Sequence, residues 1–123
     1  MLDYDIAFQK AFDFLEHDES ILSNMNCCID IDDSSKRIEG MLIVTNKRMF
    51  FYSIDKNSNL VFKEYQYENM TEIKKYEKEK EFTLFFGCDK KVVELKNIIS
   101  NNLAKVIAIV NKKVANSKML FIK

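Results

Sequence analysis

The chain is 123 residues long, with 19 Lys plus Arg against 19 Asp plus Glu, 47% hydrophobic and 31% charged residues, three cysteines, two glycines and no proline. That length fits one domain burying roughly two-thirds of the surface its unfolded chain exposes, and the balanced composition excludes a disordered or low-complexity chain. No run approaches the ~18 apolar residues of a membrane span and the acidic start (Asp3, Asp5) is unlike a signal peptide, so the expectation is a soluble, cytoplasmic protein.

In residues 3–16, Tyr4, Phe8, Ala11, Phe12 and Leu15 recur at helical spacing, and Asp3 is placed to cap the start. This predicts an N-terminal helix, which the polar cluster from Glu16 to Ser20 ends. From Ile21 the period changes to two: Ile21, Met25, Cys27, Ile29 and Ile31 share one face, and Asn24, Asn26, Cys28 and Asp30 the other. After a polar turn at 32–35, strands are expected over 37–45 and 48–54, joined by a link short enough for a hairpin. A turn at 55–59 precedes further strands over 60–67, 70–76, 81–86 and 91–96, which makes seven. Alternation is clear at Phe82, Leu84 and Phe86 and poor over 70–76.

The last element, residues 97–116, carries Ile99, Leu103, Val106, Ile107, Val110 and Val114 at i+3 and i+4 spacing and reads as an amphipathic helix of about five turns. Lys105 and Lys112 lie on its other side, and Lys113 adds a further base to the helix. The apolar end around Met119 and Phe121 either continues the helix onto the core or meets a partner. Seven short antiparallel strands and one such helix describe a single domain, a strongly bent sheet or partly open barrel with the helix as its plug.

Zero net charge conceals an asymmetry. Residues 1–35 hold nine acids against Lys10, whereas from Lys90 onward there are eight lysines against Glu94. Opposite ends of this kind can pair within one copy or between two, and the basic end can also face an anionic surface.

Three segments carry a family resemblance. Gly40, Leu42, Thr45, Asn46, Arg48, Phe50 and Phe51 sit in a hairpin similar to the G-x-L-x-x-T-N-x-R-hydrophobic-aromatic hairpin of bacterial pleckstrin-homology (PH)-like domains, the YokE-like group in particular. Leu15, Glu19, Ile21 and Leu22 resemble that family's L-x-x-x-E-x-I-L passage into the first strand, and Tyr67, Met70 and Ile73 its Y-x-x-I-x-x-I passage into the fifth. The resemblance spans about residues 15–115. It implies an α+β, mainly β fold: a PH-like seven-stranded bent barrel capped by a C-terminal amphipathic helix, here with an extra N-terminal helix. It implies little about chemistry, because a fold does not carry a function.

At the hairpin, Asn46 tolerates a left-handed turn conformation, and Arg48 offers five donors in a planar fork. Thr45 and Arg48 either fix the turn and barrel rim or contact an anion or lipid headgroup. Gly40, inside a strand, marks a bend or bulge. Eukaryotic-type PH domains bind phosphoinositides at a basic loop between their first two strands; at the matching place here Asp30, Asp32 and Asp33 precede Lys36 and Arg37, so the resemblance does not extend to a specific phosphoinositide site. The same loop starts like a calcium loop, but Ser35 and Met41 occupy the positions that need glycine and a bidentate acid.

Other chemistry is weakly supported. The adjacent Cys27 and Cys28 point to opposite strand faces, Cys88 is distant, and no metal spacing or disulfide framework results. Cys27 belongs to the core, and Cys28 and Cys88 are expected to be accessible thiols. The lone His17 sits among acids with no nucleophile placed beside it, there is no glycine-rich phosphate loop, and the lysines of 74–80 are matched by interleaved glutamates, which gives no nucleic-acid track. The expectation is therefore a non-catalytic module without metal or cofactor. It docks a protein partner or self-associates through Thr45, Arg48, Lys105, Lys112, Lys113, Met119 and Phe121. The alternative is a peripheral membrane module using the same lysines, with an enzyme a weaker third reading.

Overall fold

The computed structural model describes residues 4–30, 37–54, 60–79, 81–99 and 102–119. Helix α1 (Tyr4–Ala11) tightens into a 3-10 turn (Phe12–Phe14); strands β1 (Ile21–Asp30), β2 (Arg37–Thr45), β3 (Arg48–Ile54) and β4 (Leu60–Gln66) follow. A second 3-10 turn (Tyr67–Asn69) leads to β5 (Lys74–Lys78), β6 (Glu81–Cys88), β7 (Lys91–Ile99) and helix α2 (Leu103–Met119). The strands form one antiparallel sheet in the order β4-β3-β2-β1-β7-β6-β5. β4 and β5 are its two ends, so the barrel stays open between them.

The expected seven strands and terminal helices are present, with displaced boundaries. The helix expected over 3–16 is α-helical only to Ala11, and the helix expected from Asn97 starts at Leu103 because β7 runs on to Ile99. The segment with poor alternation is a core crossing before β5: Met70 and Ile73 are both buried, and the ladder begins at Lys74.

Alternate residues of the bent sheet fill the inner core. Met25, Cys27 and Ile29 of β1, Leu42 and Val44 of β2, and Met49 and Phe51 of β3 meet Leu84, Phe86 and Leu95 across the barrel. The stripe Val106, Val110 and Val114 of α2 plugs this core. Asn102 fixes where the helix begins, donating from Nδ2 to Ser23 Oγ at 2.9 Å and to the Asn24 carbonyl at 3.2 Å.

A second core lies on the outer face of β2 and β3. Met41, Ile43, Phe50 and Tyr52 are covered by Ala11, Phe8, Phe14 and Leu15. Phe14 packs against Tyr52 and Phe62 with ring centroids 5.0 and 5.1 Å apart. Both faces of β2 and β3 are therefore buried, which is why they read as continuous apolar runs rather than alternating ones. The acidic N-terminal helix packs on its own barrel, and among the described residues no ion pair joins it to α2.

Gly40 is not a bulge. The β1–β2 register runs unbroken through Cys27 and Gly40, and its irregularity lies between Ile21 and Ser23. A Cβ at Gly40 would stand 2.5 Å from Phe51 Cζ and 2.5 Å from the Tyr52 carbonyl oxygen. The glycine is needed for close approach of the neighbouring strand.

Candidate functional site

The β2–β3 turn holds a buried polar joint. Thr45 Oγ1 accepts the Lys47 and Arg48 amides at 3.1 and 3.0 Å, and donates to Glu19 Oε2 at 2.6 Å. Arg48 Nε donates to the same oxygen at 2.9 Å; its terminal nitrogens reach Glu19 Oε1 at 3.1 Å, the Phe14 carbonyl at 2.7 Å, and Glu64. The guanidinium also lies over the rings of Phe50 and Phe62, 5.0 and 5.9 Å from their centroids. Glu19 has no side-chain exposure and Arg48 only 7%.

Burial alone would raise the Glu19 carboxyl, but hydrogen bonds from Arg48, Thr45 and the Glu16 amide outweigh it and hold the group below its ordinary value. The bond to Glu19 is the main cause that raises Arg48 further.

The three segments that carried the family resemblance converge here. Asn46 Oδ1 accepts the Ser20 amide at 2.8 Å and its Nδ2 donates to the Asp18 carbonyl at 3.1 Å. Tyr67 donates its hydroxyl to the carbonyls of Thr45 and Arg48, at 2.6 and 2.9 Å. The left-handed residue is Asp18, at φ 66°, and not Asn46. Asn46 is there for its side-chain amide, which copies a strand's donor and acceptor. Glu19 and Tyr67 stood in the resemblance motifs, but spacing alone could not pair residues 19 to 29 positions apart.

The structure brings Thr45 and Arg48 together and leaves the other candidates elsewhere. Lys105 and Lys112 are exposed on α2, Lys113 is half-buried, and among the described residues none of the three is in an ion pair. Met119 is the last residue of α2, and Phe121 lies outside the described residues, as does the loop 31–36. At that loop's ends, Asp30 takes Nζ of Lys96 from β7 at 2.7 Å and lies 3.7 Å from Arg37 Nε, so Arg37 is already engaged by a carboxylate. Lys96, the first of these partners, draws the Asp30 carboxyl down.

Cys28 and Cys88 correct an expectation: both are buried, like Cys27. Burial raises all three thiols, Cys88 to about 11. His17 is exposed, 3.3 Å from Asp18. Among the described residues no group of His, Cys, Asp and Glu side chains is arranged to hold a metal ion, and no described helix is long and apolar enough to cross a membrane. Open clefts among the described residues include the following two. One of about 770 Å³ lies at the β4 end of the sheet, lined by Lys63, Tyr65 and Val92. Another of about 590 Å³ runs between the start of β5 and α2, lined by Thr71, Glu72, Lys74, Val114, Ala115 and Lys118.

A bent seven-stranded barrel, plugged by a C-terminal helix and locked at its β2–β3 turn, is a PH-like domain. The chain belongs to the bacterial PH domain family, whose profile matches residues 15–112; α1 lies outside that match.

Solved structures agree on the fold. A C-terminal domain of an unknown protein from Leishmania infantum is similar at TM-score 0.63 and 20% identity, over 89% of this chain and 97% of that one. A DUF1696 family protein with a pleckstrin-homology domain from Shewanella loihica gives 0.56 and 17%, over 90% and 99%. The hSac2 domain from human phosphoinositide phosphatase Sac2 gives 0.53 and 13%, over 100% and 87%. No match was found among curated proteins.

Proposed function

We propose that this bacterial PH domain is a non-catalytic, cytoplasmic docking module for a protein partner or a second copy, within the YokE-like group of the family. The supporting observation is the division of labour on α2. Its apolar stripe is spent on the barrel, while Lys105, Lys112 and Lys118 are exposed on its outer surface. A cationic, hydrated helix face of this kind selects acidic surfaces through charge complementarity. Thr45 and Arg48 serve as the joint that fixes the barrel, and the contacts are made by the α2 lysines with Met119 and Phe121 beyond them.

The same lysines favour a second reading, a peripheral membrane module. Each base near an anionic bilayer contributes roughly 1 kcal/mol, but the apolar side of α2 is committed to the core. Amide-resolved titration with poly-glutamate, beside co-sedimentation with neutral and anionic vesicles, tests both. The docking reading expects shifts at Lys105, Lys112 and Lys118 that salt suppresses and that a triple Lys→Glu variant loses. Binding to anionic vesicles alone would replace it with the membrane reading, and no response to either probe would overturn both.

A further inference from the structure

β5 ends the sheet and among the described residues pairs only with β6, in the register Lys74↔Phe85 through Lys78↔Glu81. In an antiparallel ladder, alternate residues turn their N–H and C=O toward the neighbour and the others turn them away. Lys78 and Glu81 close a two-residue turn, so Lys78, Tyr76 and Lys74 face β6 while Lys75 and Glu77 face outward.

An independent contact gives the same phase. Just before the strand, Ile73 turns both of its backbone groups to Asn111 of α2, which accepts its amide at 2.6 Å and donates to its carbonyl at 3.2 Å. Asn111 thus occupies one rung of an edge whose next two rungs, Lys75 and Glu77, have no strand beside them among the described residues. The cleft between β5 and α2 begins at this point, with Val114 and Ala115 as its apolar lining and Lys74 and Lys118 at its rim.

We infer that this edge and cleft together take an extended acidic segment of another protein as an added strand, hydrogen-bonded to Lys75 and Glu77 and seating one small apolar side chain against Val114 and Ala115. Charge selects the occupant. The five residues of β5 hold three lysines and one glutamate, all exposed. Lysine-rich edges repel their own kind, which argues against a second copy at this place, whereas carboxylates of an incoming strand meet Lys74 and Lys78 on one face of the edge, Lys75 on the other, and Lys118 at the cleft. This inference rests on the docking reading and specifies its partner's conformation and contact line.

The test uses a decapeptide alternating Glu with Val or Ala, an isomeric scrambled peptide of the same charge, and poly-lysine as the control, with amide hydrogen exchange read residue by residue. The alternating peptide is expected to slow exchange at Lys75 and Glu77, and poly-lysine to leave it unchanged. Lys75→Pro removes an outward N–H without breaking the β6 ladder and is expected to weaken binding at least about tenfold, with the thermal melt confirming the fold. Should that variant not fold, Lys74→Glu/Lys78→Glu replaces it, with the same loss expected. Binding that these variants leave intact, or that protects no β5 amide, overturns the edge proposal while the docking reading stands on the α2 lysines. Equal binding of the scrambled peptide overturns the added-strand geometry, and no binding of either acidic peptide overturns the proposal.

Discussion

Replacing Arg48 with methionine keeps much of the apolar stem over Phe50 and Phe62 but strands Glu19, whose side chain has no exposure. Removing one partner of a buried ion pair costs about 3–5 kcal/mol, because the remaining charge stays desolvated. The Glu64 contact adds little, since that carboxylate is 39% exposed. A loss of about 3–5 kcal/mol is a large share of the roughly 5–15 kcal/mol that holds an ordinary domain together.

The loss is also expected to depend on pH. In the native protein the Glu19 carboxyl lies below its ordinary value of 4.5, so its contribution is present above that pH and disappears as pH falls through the folded value. In Arg48→Met the desolvation remains without the counter-charge, the carboxyl rises, and protonation relieves the variant. The difference between the two proteins therefore shrinks from pH 7 to pH 4. Urea unfolding at both values measures it, and Glu19→Gln/Arg48→Met is expected to lose less than Arg48→Met alone. A loss below about 1 kcal/mol at pH 7, or the same loss at both pH values, would refute the account of Glu19 as a buried, compensated charge.

Gly40→Ala forces Phe51 and the Tyr52 backbone apart and is expected to cost about 1–3 kcal/mol in the same urea assay. A thiol reagent at pH 8 should find the three cysteines slow in the native protein and all three reactive in denaturant, since each is buried and raised; a fast native thiol would contradict the packing of Cys28 and Cys88. Deleting residues 1–14 uncovers Phe50, Tyr52 and Phe62 and should produce dye-binding, aggregation-prone protein. A deletion variant as monomeric and dye-free as the full chain would mean the outer core does not need α1.

Periodicity located the elements whose two faces differ in solvent, and failed where they do not. β6 alternates at Phe82, Leu84 and Phe86 because one side faces the plug helix, and α2 shows its stripe because the other side is wet. Residues 41–44 and 49–52 carried no sign of which face was inner, because α1 supplies a second core on the outer face. Cys28 looked exposed by sharing a face with Asn24, Asn26 and Asp30; it is buried beside Asn97, whose Nδ2 lies 3.9 Å from its sulfur. The reach of one strand's cover cannot be read from that strand alone.

The hairpin illustrates why a motif can be plain in a sequence while its role is not. Threonine and arginine at a turn suit either an anion or a carboxylate of the same chain, and composition does not separate the two. The donor account does: four of the five N–H groups that an arginine carries are engaged in Arg48, by both oxygens of Glu19, by Glu64 and by the Phe14 carbonyl. An external anion would have to displace a buried carboxylate already bonded to Thr45 and to the Glu16 amide, at the cost worked out for Arg48→Met. The three motif segments that tie this chain to its family thus meet in a joint that makes the barrel. The β5 edge and the outer side of α2 lie outside that joint.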